Sequence, residues 1–109
     1  MKSLIEKTSD KLVNAFLKNK IIAPIPSKFT KKLHEAQKLR VLCESKIKHP
    51  TIGFKAAGTG IPLIKKFKEK EPFYATVYKR NFLKSGKSVK INKSTLGIEL
   101  EVCYKIKKS

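Results

Sequence analysis

The chain contains no tryptophan, one methionine and two cysteines, and aromatic residues make up only 8% of it. A large aromatic core is therefore excluded. At 109 residues the chain forms one small domain, which buries a smaller share of its surface than a full-size enzyme domain. Cys43 and Cys103 are too few for a disulfide framework, and they lack the CxxC spacing of a zinc site. Both read as buried apolar fillers. No apolar run approaches the ~20 residues that cross a bilayer. The start, Met1-Lys2-Ser3-Leu4-Ile5, has the outline of a signal peptide, but Glu6, Lys7 and Asp10 interrupt any hydrophobic region. The expected location is cytoplasmic. Acid is scarce too, with 8 acidic residues against 26 basic ones and a net charge of +18.

Arginine is nearly absent. Arg40 and Arg80 are the only two, so lysine supplies almost all the positive charge. Clustered cations gain affinity for nucleic acid by releasing phosphate counterions. Base-edge and bidentate phosphate contacts favour arginine, however, and these lysines are spread along the whole chain. A solvated lysine surface is one reading. A basic module for RNA or an acidic partner is the other.

Hydrophobic residues make up 40%, enough for a modest core. Ser3 and Glu6 have capping-box spacing. Ile5, Leu12, Val13, Phe16 and Leu17 follow as a helical stripe, predicting a helix over about residues 4 to 18. Ala23-Pro24-Ile25-Pro26 stops it and forms an extended linker. Phe29, Leu33, Ala36, Arg40 and Cys43 recur at three or four, predicting a second helix over about 28 to 46, capped by Ser27 or Thr30. His34 falls on that helix as a surface or packing residue, and His49 before Pro50 reads as exposed. Residues 1–50 thus form an N-terminal helical unit.

After Pro50 the period changes, and residues 51–109 read as a partial β region. Thr51 to Ala56 alternates as a strand. Pro62 to Lys68 reads as one or two helical turns, with Pro62 near the first position. Phe73 to Tyr78 is aromatic and β-branched, a strand. Ser85-Gly86-Lys87 reads as a turn and Ser88 to Asn92 as a short strand. Leu96 to Ile106 alternates most clearly of all. Leu96, Ile98, Leu100, Val102, Tyr104 and Ile106 share one face, with Glu99, Glu101 and Cys103 on the other. The expected class is α+β.

Two positions could carry chemistry. Glu99 and Glu101, at period two, put carboxylates about 7 Å apart on one strand face, a spacing that suits a hard divalent cation. The alternative is an ordinary polar face paired to lysines. Lys55 lies near Gly53, Gly58 and Gly60, which permit close backbone approach to a ligand. A lysine there could polarise a carbonyl or move a proton; otherwise it is one more surface lysine. Gly86-Lys87-Ser88 is not a P-loop, because Asn81 stands where the earlier glycine belongs.

From Pro24 onward the chain resembles the N-terminal part of the 2-keto-4-pentenoate hydratase family, within the fumarylacetoacetate hydrolase superfamily. The elements are Pro24-Ile25-Pro26 before a helix, Ile52-Gly53-Phe54-Lys55-Ala56-Ala57-Gly58-Thr59, Glu71-Pro72-Phe73-Tyr74 and Gly97-Ile98-Glu99-Leu100-Glu101-Val102. They are similar in order and spacing, and cover roughly residues 22 to 106. The resemblance implies two helices followed by the first part of a mixed β fold. It also implies a lyase of aromatic catabolism that hydrates a 2-hydroxy-dienoate or related 2-keto acid; decarboxylation occurs on the same scaffold. Glu99 and Glu101 are then ligands of Mg²⁺ or Mn²⁺, which stabilises the enolate of the substrate. Lys55 is an acid–base or electrostatic group, and Thr59 a substrate contact.

Ala57 stands where the family has glycine, and Gly60 where it has serine. The family fold is more than twice as long, and its third metal ligand, an aspartate, lies beyond this stretch. Asp10 is the only aspartate here and does not align with it. The expectation is an N-terminal fragment with an incomplete site, which either a complementary chain or a second copy could complete or which is a truncated remnant.

Overall fold

Ser3 and Glu6 do close a capping box. The Glu6 carboxylate accepts from the Ser3 N–H at 2.7 Å, and the Glu6 N–H donates to Ser3 Oγ at 3.4 Å. This starts α1 (Leu4–Leu17) in a computed structural model that describes residues 1–67 and 72–108. Asn19, at φ 50°, turns the chain out of the helix, a conformation asparagine tolerates better than most residues. After the proline linker come α2 (Lys28–Lys31) and α3 (Leu33–Lys46). Next are β1 (Thr51–Ala57), α4 (Ile61–Phe67) and β2 (Phe73–Tyr78), and a 3₁₀ turn at Lys79–Asn81. The class is α+β, as expected.

The predicted second helix is split. Lys32 takes extended angles, φ −125° and ψ 119°, and separates α2 from α3. Lys28, Lys31 and Lys32 would stack like charges at three and four along a continuous helix, which is destabilising. Ser27 occupies the N-cap position of α2 without a side-chain bond, and the Thr30 hydroxyl instead donates back to the Ser27 carbonyl. Phe29 still reaches the core at 3% exposure.

β1 and β2 pair antiparallel as a two-stranded sheet, with Lys55 opposite Ala75 and Phe54 opposite Thr76. The two predicted strands after β2 are corrected. Residues 88–92 and 96–106 have no strand partner among the described residues, although turns form at Ser85–Gly86 and at Lys93–Ser94. A strand exists only through the N–H and C=O groups of a neighbour, so alternation alone cannot create one. Leu96, Ile98, Leu100, Val102, Tyr104 and Ile106 accordingly stand in solvent. Cys103 is exposed rather than buried, while Cys43 is half-buried.

The core joins the helices to the sheet. Its buried apolar residues are Ala15, Phe29, Leu39 and Tyr78. The Phe16 and Tyr78 rings meet at 5.6 Å, linking α1 to β2. His49 is half-buried, with its Nε2 3.2 Å from an Arg80 guanidinium nitrogen. Lys46 of α3 donates to Asp10 of α1 at 2.7 Å and to the fully buried Ser9 hydroxyl. No helix among the described residues is long and apolar enough to cross a membrane.

Candidate functional site

Lys55 lies in the middle of β1, held by the ladder opposite Ala75. Its ammonium is 3.2 Å from Glu99 Oε2 and 3.2 Å from Glu101 Oε1. Three of the four residues singled out from sequence are therefore in contact across a separation of 44 residues between Lys55 and Glu99. The two carboxylates, two positions apart in the chain, reach the same ammonium. The hydrogen bonds to Glu99 and then to Glu101 raise the Lys55 pKa above its ordinary value, so the group is a cation at neutral pH. The cluster is open to water: the Glu99 side chain is 75% exposed and that of Lys55 48%.

Thr59 is exposed on the loop after β1, and no hydrogen bond among the described residues ties it to the other three. The loop itself depends on Gly58. Its φ is +70°, and a Cβ there would sit 2.8 Å from a Phe73 ring carbon. Glu71, the first residue of the Glu-Pro-Phe-Tyr element, lies outside the described residues.

Other charged groups fasten the sheet to the helices. Glu44 of α3 accepts from Arg40 at 2.7 Å and from the backbone N–H of Thr76 at 3.2 Å, covering part of the open edge of β2. Burial alone would raise the Glu44 pKa; the Thr76 and Arg40 bonds outweigh it and hold the carboxyl below its usual range. Arg40 stacks 4.9 Å over the Tyr74 ring, which meets Phe54 edge-on at 5.9 Å. The sequence signal for this cluster was an arginine on an otherwise apolar helical stripe.

The donor chemistry of Glu99 and Glu101 suits a hard divalent ion, since both offer carboxylate oxygens. Among the described residues no group of three or more His, Cys, Asp or Glu gathers that could hold a metal. A shallow pocket of about 330 Å³ is lined by Ser27, Lys28, Lys31, Lys32 and Glu35, none of them a residue of the Lys55 cluster. No protein-family model, curated protein or solved structure matches the chain.

Proposed function

We propose that the chain contributes part of a divalent-metal site for a 2-keto acid, of the kind used by 2-keto-4-pentenoate hydratases. Glu99 and Glu101 would hold Mg²⁺ or Mn²⁺, and Thr59 would contact substrate. The observation that carries the reading is the convergence of both carboxylates on Lys55 at 3.2 Å. A bound ion would supply Lewis acidity toward the keto acid. Lys55, an ammonium at neutral pH by its ordinary pKa, would stand beside that ion as the acid–base or electrostatic group, donating a hydrogen bond to a developing oxyanion. Two carboxylates provide too few protein ligands for tight Mg²⁺ binding, so full activity calls for a further donor from a complementary chain or another copy.

The test is Mn²⁺ binding followed by electron paramagnetic resonance. Wild type is expected to bind weakly, and Glu99→Gln or Glu101→Gln to abolish binding. Binding that survives both changes rejects these ligands. A second reading is a basic module without catalysis, for RNA or an acidic partner. The Phe54–Tyr74 pair favours it, since exposed aromatics beside a stacked arginine form a platform for bases. Steep salt dependence of RNA binding, unchanged by Glu99→Gln, would support that reading.

A further inference from the structure

The surface of the molecule is 10009 Å², against roughly 6,100 Å² for a compact monomer of this mass. Much apolar surface is therefore left uncovered. Its longest regular run along the chain is the segment 96–106, whose six apolar residues recur at every second position and are 79% to 102% exposed. Exposed apolar patches rimmed by polar groups mark interaction sites.

Two features define what would cover this face. Glu99 and Glu101, the acids of the segment, are tied back to Lys55. That tie occupies both acids with Lys55 of β1, while the six apolar side chains around them stay exposed. The charge that remains is positive. Lys90 and Lys93 precede the apolar run, and Lys105, Lys107 and Lys108 close it. A second copy, itself at +18, would bring like charge to the same rim. The complement is an acidic surface.

We propose that residues 96–106 act as a donated strand for an acidic polypeptide with an open sheet edge. The partner's edge would satisfy the segment's unpaired N–H and C=O groups, as in other strand-addition complexes. Its core would receive Leu96, Ile98, Leu100, Val102, Tyr104 and Ile106, and its rim carboxylates would meet the flanking lysines. The inference does not depend on metal binding.

The experiment uses the full chain and two short synthetic peptides, one strictly alternating valine and glutamate, the other valine and lysine. Amide hydrogen exchange is read across residues 96–106. The valine–glutamate peptide should slow exchange there at least about tenfold, with the effect weakening as salt rises. The valine–lysine peptide should not. Leu100→Asp should abolish the protection while leaving the helical circular dichroism unchanged, since Leu100 is fully exposed. Protection by both peptides alike, or by neither, would overturn the proposal. Concentration-dependent protection without peptide would overturn it in favour of a second copy. Protection by single-stranded polyuridylate alone would overturn it in favour of nucleic acid.

Discussion

Tyr78 is the residue on which helices and sheet meet, and it is imperfectly satisfied there. Its side chain is buried against Phe16, and burial raises its pKa. Its hydroxyl has no hydrogen-bond partner among the described residues. A buried hydroxyl without a partner costs about 1–3 kcal/mol, so removing it should help. Tyr78→Phe keeps the ring and its contact with Phe16. The expected result is a stability gain of about 1 kcal/mol in urea unfolding. A loss of stability would mean that the hydroxyl is satisfied in solution. The position of Tyr78 was legible as the end of a strand; its burial was not, because that depends on Phe16, which lies far away in sequence.

At the scale of elements, α1 and α3 are locked by Asp10. Its carboxylate accepts from Lys2 and from Lys46, which lowers its pKa from 3.8 to about 2. A depressed folded-state pKa means stability that is present above pH 3.8 and lost as pH falls toward about 2. Asp10→Asn should therefore be less stable than wild type at neutral pH, and the gap should close below about pH 2. Urea midpoints across that range measure it, and a gap independent of pH would show that the ion pairs contribute nothing. Elements with clear signals in their own stretch of sequence were readable in advance. The Ser3 capping box, β1, α4 and β2 all follow from caps, prolines and period. The segment 96–106 carried the strongest alternation, yet it pairs with no strand among the described residues, because pairing is a property of two segments and the sequence describes one. The break at Lys32 was missed for a related reason: the apolar stripe ran through it, while the lysines beside the stripe decided the outcome. For the candidate site, sequence placed Lys55, Glu99 and Glu101, and the fold supplied their contact. Arg40 stood out on its helical stripe, but its pairing with Glu44 against the sheet became visible only once β2 lay beside α3.

Across the whole molecule, acid is the limiting component. Every acidic residue among those described is already engaged: Glu6 with Ser3, Asp10 with Lys2 and Lys46, and Glu35 with Lys28 and Lys38. Glu44 pairs with Arg40, and Glu99 and Glu101 share Lys55. With a net charge of +18, the surplus cations repel one another, and no acid among the described residues stands unengaged to offset them. The radius of gyration, 15.7 Å, exceeds the roughly 13 Å of a compact domain of this length, which fits a chain neither closed over its apolar surface nor neutralised on its charged one. Two effects of salt then compete. Screening weakens the ion pairs, which are mostly exposed and worth little each. It also weakens the lysine repulsion, which acts over the whole surface. The repulsion involves more charges and should dominate, so the melting temperature should rise as sodium chloride increases from about 20 to 200 mM, over which the Debye length shrinks about threefold. A fall in melting temperature over that range would mean that the Asp10, Glu44 and Lys55 pairs outweigh the repulsion. In that case the case for an acidic partner would lose its electrostatic basis.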